Sequence, residues 1–151
     1  MGLIGQSMAI RCAPDTQRVT ISIPGRPLGA NQVGGVHWNG WVTGMDGRRA
    51  RLYTVKRDWM EQAHLAWLEA GRPVFPDGAA VVIRAVFGHG GRVDESNYAG
   101  AGSVKWVLDA LTNCGCWPDD SARWLTIAGI ETVYRRGAWA VELVITERSD
   151  G

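Results

Sequence analysis

Carboxylates fall in two clusters on either side of a short apolar stretch. The first cluster contains Asp94 and Glu95, followed by Asn97, and the second contains Asp119 and Asp120. Lys105 and Asp109 lie between the clusters. Carboxylates gathered around a lysine suit a hard divalent cation such as Mg²⁺, which takes oxygen ligands and shares its coordination shell with substrate phosphate. These residue types therefore point to phosphodiester hydrolysis, the chemistry of a nuclease.

A short helix must position these groups. Lys105 and Asp109 are four residues apart, so on a helix they share one face and can interact directly. The intervening helix, about 15 Å long for ten residues, keeps the acidic clusters apart unless the strands that border the two loops lie side by side. The alternative for each cluster taken singly is a polar turn, because Asp, Ser and Asn bond their own backbone.

Lysine is rare in this chain, which bears on Lys105. Of the sixteen basic residues only Lys56 and Lys105 are lysines. A lysine among so many arginines favours a compact ammonium that meets a phosphate oxygen or a water as a point charge. A general preference for arginine in the sequence is the alternative explanation.

Composition indicates one folded domain. The chain has 151 residues, of which 46% are hydrophobic and 21% charged, enough to bury a core without metal or disulfide staples. We expect a flexible leader over 1–16 and the domain over 17–148. No apolar run is long enough for a membrane span and no signal peptide is evident, so a cytoplasmic protein without membrane contact is expected. The three cysteines are expected to be reduced thiols.

The hydropathy pattern gives the order of elements. Strands are predicted over 18–23, 79–87, 122–135 and 138–146, and helices over 51–70 and 103–113. A tight hairpin at Arg136 and Gly137 is predicted to join the last two strands. Residues 28–47 are glycine-rich and show neither the helical nor the strand period, so they are expected to form a long loop. The fold class is therefore α/β (α+β), a small single domain with a mixed β-sheet and two main helices.

Basic residues concentrate in the first third of the chain. Between Arg18 and Arg57 there are seven basic residues and one acid, Asp46. The candidates for DNA phosphate contacts are Arg48, Arg49, Arg51, Lys56 and Arg57. A solvated basic loop is the alternative. Trp38 and Trp41 are candidates for stacking on unpaired bases, with packing in the core or at a dimer contact as the alternative.

No nucleotide cofactor is predicted from the glycines after the 79–87 strand. Gly88, Gly90 and Gly91 lie close together, but they lack the strand-to-helix setting that a dinucleotide-binding fingerprint needs. A nucleotide cofactor is therefore not expected.

Three segments together resemble one family of enzymes. They are Asp94-x-x-Asn97, Lys105-x-x-x-Asp109-Ala110-Leu111-Thr112 and Gly115-Cys116-Trp117-Pro118-Asp119-Asp120. This pattern, within 92–123, resembles the RusA-type Holliday-junction resolvases. The resemblance implies a RusA-like fold and a homodimeric endonuclease, dependent on Mg²⁺ or Mn²⁺, that cleaves branched DNA, chiefly four-way junctions, in recombination, repair or phage DNA processing.

The resemblance also implies residue roles. Asp94 and Asp120 match metal-binding aspartates, with Asp119 as an accessory carboxylate, and Lys105 matches the catalytic lysine. Asp109 matches an acidic residue whose expected task is to hold Lys105. Two departures are Ser96, where the family has a second aspartate, and a longer gap between Asn97 and Lys105.

The loss of that aspartate leaves three functional hypotheses. In the first, Glu95, Asn97 or a water takes its place and the enzyme is active. In the second, the protein binds junctions but has weak or lost cleavage. In the third, it is a non-catalytic interaction module whose acidic loops are structural.

Overall fold

A four-stranded mixed β-sheet forms the centre of the molecule, with two helices that pack against each other. The structure, a computed structural model, describes residues 16–29, 40–89 and 102–148. Its strands are β1 (Arg18–Pro24), β2 (Trp41–Thr43), β3 (Arg49–Arg51), β4 (Ala79–Phe87), β5 (Leu125–Tyr134) and β6 (Ala140–Glu147), and its helices are α1 (Leu52–Glu69) and α2 (Gly102–Asn113). The predicted mixed α/β class with two main helices is confirmed. The leader expected over 1–16 lies almost wholly outside the described residues.

The sheet order is β1-β6-β4-β5, in which β4 and β5 run parallel and β6 is antiparallel to both of its neighbours. The predicted hairpin between the last two strands is therefore wrong, because β4 lies between them. β4 and β6 are buried along most of their length and take the central positions, whereas most residues of β5 are at least partly exposed and it takes an edge. The turn at Arg135–Gly137 instead crosses the end of β4, where Arg135 N–H donates to the Phe87 carbonyl at 3.0 Å.

Residues 40–51 correct the expectation of an unbroken loop over 28–47. β2 and β3 pair antiparallel as a small ribbon, with Val42 opposite Ala50. Asp46 closes the turn by accepting a hydrogen bond from Arg48 N–H at 2.9 Å, a local bond that favours turns. Gly47 has φ 88° and is packed against the Arg26 guanidinium, so a side chain there would be strained and would collide. Residues 30–39 lie outside the described residues.

The helices form close to the predicted bounds because their apolar spacing is local information. In α1, Val55, Trp59 and Ala63 recur every four residues and are buried. The helix ends at Glu69, with Ala70 as its C-cap, and Gly71 follows with φ 93°. Gly71 N–H donates to the Leu68 carbonyl and Arg72 N–H to the Trp67 carbonyl, which is the Schellman pattern. No helix in the described part of the chain is long and apolar enough to cross a membrane.

The core lies between the sheet and the helices. Its largest fully buried side chains include Trp59 from α1, Phe75, Trp117 and Ile83. Burying one tryptophan removes roughly 150–250 Å² from water, about 4–6 kcal/mol at 25 cal/mol per Å². Trp59 and Trp106 are buried in this core, and Trp67 is partly buried against it.

Candidate functional site

α2 displays its polar residues on one face. Lys105 Nζ donates to Asp109 Oδ1 at 2.6 Å, and the two side chains are 49% and 30% exposed. The apolar side chains of the helix are buried, among them Val104, Val107, Leu108 and Leu111. The predicted contact between Lys105 and Asp109 is thus present, and it fixes the direction of the Asp109 carboxylate.

The start of α2 is tied to the segment that follows β1. Leu28 N–H donates to the Ser103 hydroxyl oxygen at 2.7 Å, and Ser103 N–H donates to the Leu28 carbonyl at 3.0 Å. Ser103 is fully buried, so this reciprocal pair satisfies groups that would otherwise be costly to desolvate. The helix that bears Lys105 and Asp109 is therefore anchored at its first turn.

The turn after α2 is fixed by Trp117. Its indole N–H donates to the Thr112 hydroxyl at 2.7 Å, and that hydroxyl donates in turn to the Leu108 carbonyl at 2.9 Å. Trp117 is 1% exposed. Cys116 N–H donates to Leu111 and the Cys116 carbonyl accepts from Phe75 N–H. These hydrogen bonds fix the path of the backbone between the end of α2 and the loop that contains Asp119 and Asp120.

Two carboxylates from different elements border one pocket at the end of α2. The pocket has a volume of about 280 Å³. Its lining residues are Lys56 and Met60 of α1, Asp109, Thr112 and Asn113 of α2, and Asp120 of the following loop. The structure thus brings together Asp109 and Asp120, and it adds Lys56. Lys105 does not line this pocket, but it forms an ion pair with Asp109, which does.

Asp119 has a turn-forming contact. Its Oδ1 accepts a hydrogen bond from Ser121 N–H at 2.8 Å. Hydrogen bonds from the Ser121 side chain and backbone lower the pKa of Asp119, and Arg123 adds a favourable charge. The carboxylate is therefore ionised at neutral pH and holds the loop that presents Asp120. Its role as an accessory metal ligand stays a prediction.

The other predicted site residues, the acidic Asp94 and Glu95 and the amide Asn97, lie outside the described residues, between β4 and α2. Within the described ranges, no group of three or more His, Cys, Asp or Glu side chains is arranged to hold a metal ion. The described part supplies two carboxylates, Asp109 and Asp120, at one pocket. This donor pair fits an oxygen-liganded cation such as Mg²⁺ that completes its shell with water, substrate phosphate or a further carboxylate.

The basic residues predicted to contact DNA occupy two places. Arg48, Arg49 and Arg51 belong to the β2–β3 ribbon, while Lys56 and Arg57 are on α1. The Arg51 guanidinium lies 4.8 Å and that of Arg49 5.7 Å from the centre of the Trp41 ring, within the range of cation–π attraction. Trp41 is 40% exposed. The ribbon is therefore an exposed surface of arginines around one aromatic ring.

Lys56 is the residue whose place the sequence did not reveal. The sequence predicts only that Lys56, like the neighbouring arginines, contacts DNA phosphates. In the structure Lys56 lines the same pocket as Asp109 and Asp120. A signal exists in the spacing of Lys56 and Met60, four residues apart, which puts both on one face of α1. Nothing in the sequence says which helix that face meets.

Comparison with known proteins adds no relative. No protein-family model matches the chain, and none of the curated proteins matches it. The resemblance to the RusA-type resolvases therefore remains a prediction from the quoted motifs. Within the described residues, the candidate site consists of Asp109, Asp120 and Lys56 in the lining of one pocket, with Lys105 paired to Asp109.

Proposed function

We propose that this protein is a divalent-cation-dependent endonuclease that hydrolyses phosphodiester bonds in DNA, chiefly at branched sites such as four-way junctions. The observation that carries the proposal is the pocket lined by Asp109, Asp120 and Lys56. Two carboxylates can hold a cation, and an ammonium beside them can meet the phosphate. The preference for junctions and the homodimer rest on the motif resemblance.

Among the described residues, the formal charges of the two pocket carboxylates and the two lysines balance. Asp109 and Asp120 carry two negative charges, and Lys56 and Lys105 carry two positive charges. The ion pair of Lys105 with Asp109, at 2.6 Å, orients the Asp109 carboxylate, and the catalytic role of Lys105 stays a prediction. Lys56 takes part in none of the ion pairs among the described residues, and we assign its ammonium to a phosphate oxygen of the substrate.

Asp120 and Asp109 would hold Mg²⁺, together with Asp94 as the sequence predicts. When bound there, such an ion would supply an activated water and would stabilise charge on the phosphoryl oxygens. The chain's own residues bind and orient the strand: Lys56 at the phosphate and the ribbon arginines on flanking phosphates. A symmetric homodimer would present two such sites to two strands, as resolution of a four-way junction requires.

The direct test is cleavage of an end-labelled synthetic four-way junction by the purified protein with Mg²⁺ or Mn²⁺. Paired nicks are expected, and Asp120→Asn should slow them by about a hundredfold or more, since even changes outside the first coordination shell cost about 10–100-fold. Asp77→Asn is the matched control, because Asp77 is exposed in a turn away from this pocket. Equal rates for Asp120→Asn and the parent would show that the site is wrongly assigned.

A junction-binding protein without cleavage is the second candidate. It is favoured by Ser96 in place of an expected aspartate and by the presence of only two pocket carboxylates among the described residues. A gel shift with branched DNA, without nicks in Mg²⁺ or Mn²⁺, would support it, and recovery of nicking in Ser96→Asp would identify the missing ligand. If the protein does not bind branched DNA at low salt, the third hypothesis, a non-catalytic interaction module, would remain.

A further inference from the structure

A larger pocket lies beside the acidic one in the groove between the helices. It has a volume of about 550 Å³ and shares Lys56, Met60 and Asn113 with the acidic pocket. Because the same three side chains border both pockets, the two pockets are adjacent. We propose that the larger pocket binds an unpaired nucleotide of the DNA strand whose backbone reaches the acidic pocket, an inference that rests on the proposed nuclease function.

The wall formed by α1 suits a flat aromatic ligand. Tyr53, Met60, His64 and Trp67 line the pocket at helical spacings that place them on one face. Tyr53 is 74% exposed, the most exposed large hydrophobic side chain in the described part of the chain. His64 and Trp67 make an edge contact with ring centres 6.1 Å apart. Every base has a face that stacks on such a side chain, whatever its sequence.

The charges of the pocket suit a phosphate on the same ligand. Lys56 and Arg57 line it, against one carboxylate, Glu61. Neither cation takes part in an ion pair among the described residues. At the junction with the acidic pocket, the Asn113 side chain offers both a donor and an acceptor, which can meet a base edge. The combination is an aromatic wall, a net positive charge and one amide.

The size and the wall both favour one unpaired nucleotide over a duplex. The volume falls within the range of roughly 300–1,000 Å³ typical of pockets for small ligands. A base inside a duplex has both faces covered by its neighbours, so it must leave the stack before it can contact Tyr53. A base at a branch point or strand end leaves more easily because fewer interactions hold it. The groove would therefore contribute to the choice of branched over linear DNA.

The test compares Tyr53→Ala with Tyr134→Ala. Both tyrosines are exposed, at 74% and 57%, and Tyr134 lies at the end of β5. Anisotropy of a labelled single-stranded oligonucleotide in EDTA measures affinity without cleavage. The Kd is expected to rise about tenfold for Tyr53→Ala, from loss of one stacked base, and to stay within about twofold for Tyr134→Ala, a surface change away from the groove.

A crosslink locates the base independently of affinity. Oligonucleotide with 5-iodouracil, irradiated with the parent protein, should attach to the tryptic peptide 52–56, which contains Tyr53. Crosslinks confined to Trp41, with equal Kd for the two tyrosine variants, would overturn the proposal. Weaker self-association of Tyr53→Ala in sedimentation, with unchanged DNA affinity, would overturn it too and would assign the groove to a contact between two copies.

Failure of this proposal and failure of the nuclease assignment give different results. If nicking depends on Asp120 but Tyr53→Ala binds like Tyr134→Ala, the subsite is wrong and the nuclease assignment stands. If Tyr53 crosslinks and its loss weakens binding, but no condition gives nicks that depend on Asp120, the groove binds DNA and the nuclease assignment fails.

Discussion

The acidic pocket and the β2–β3 ribbon hold their charges in different ways. In the pocket region carboxylates and ammoniums balance, and Asp109 is held by Lys105 at 2.6 Å. In the ribbon Arg49 and Arg51 lie against the Trp41 ring, while the nearby carboxylate, Asp46, is used to close the turn. The comparison separates two tasks. The pocket, with its carboxylates and lysines, can bind a cation and position a reacting group. The ribbon, with its excess of arginine, is suited to binding the phosphates of a polyanion.

The largest effect should come from the pocket. Asp109→Asn removes a carboxylate charge and weakens the hold on Lys105, so cleavage is expected to fall by about a hundredfold. DNA affinity should change by less than about threefold, because the variant removes a negative charge and no phosphate contact. Single-turnover cleavage and gel-shift affinity measure the two quantities, and Asp77→Asn again serves as the control. A parallel loss of affinity and rate would show that the two regions do not divide the tasks.

Changes in the ribbon should have the opposite effect: DNA affinity should fall while the cleavage rate stays the same. The double variant Arg49→Gln, Arg51→Gln is expected to weaken DNA binding about tenfold at 0.1 M salt and to lower the slope of log K against log salt by about 2, since each lost phosphate contact contributes about 0.9. The cleavage rate at saturating DNA should stay the same. Arg72→Gln with Arg136→Gln is the matched control, because both arginines are exposed and outside the ribbon.

In the pocket region, contacts between residues close in sequence could be predicted, whereas contacts between distant parts of the chain could not. The i,i+4 spacing alone predicted the Lys105–Asp109 contact, and periodicity predicted both helices to within one residue at each end. The position of Lys56 beside Asp109 and Asp120 depends on how α1 packs on α2. That packing joins parts of the chain about fifty residues apart and has no local signature.

The predicted pairing of the last two strands was wrong for a similar reason. β5 and β6 are consecutive, so a hairpin was the simplest connection, but the more buried β4 occupies the place between them. The ribbon was missed because Trp41–Thr43 and Arg49–Arg51 are three residues each, too short for alternation to be distinguished from chance. For Asp94, Glu95 and Asn97, the expectations stay predictions.

A buried thiol further distinguishes the pocket region. Cys116 precedes Trp117 in the turn that leads to Asp120, and burial, with the neighbouring Cys114, raises its pKa to about 12. The raised pKa means that the unfolded chain loses this proton first as pH rises, so the stabilisation is fully present below pH 9 and is lost as pH rises towards 12. Between pH 8 and pH 10 the parent should lose about 1 kcal/mol more stability than Cys116→Ala.

Urea unfolding at the two pH values measures this difference. Cys114→Ala is the matched variant, because burial also raises the pKa of this less buried thiol, and it should change the pH dependence less. The same alkaline loss in the parent and in Cys116→Ala would mean that other groups cause it.

The smallest expected effect tests how the ribbon holds its arginines. Trp41→Ala removes the ring beneath Arg49 and Arg51, and an exposed cation–π contact is worth about 0.5–1 kcal/mol. If the ring only positions the two guanidiniums, affinity for duplex DNA should fall about two- to fivefold with the salt slope unchanged, because both charges remain. If Trp41 instead stacks on bases, affinity for single strands should fall more than affinity for duplex. The anisotropy assay with both oligonucleotides separates these roles and shows whether the ribbon only grips phosphates, as the contrast with the pocket requires.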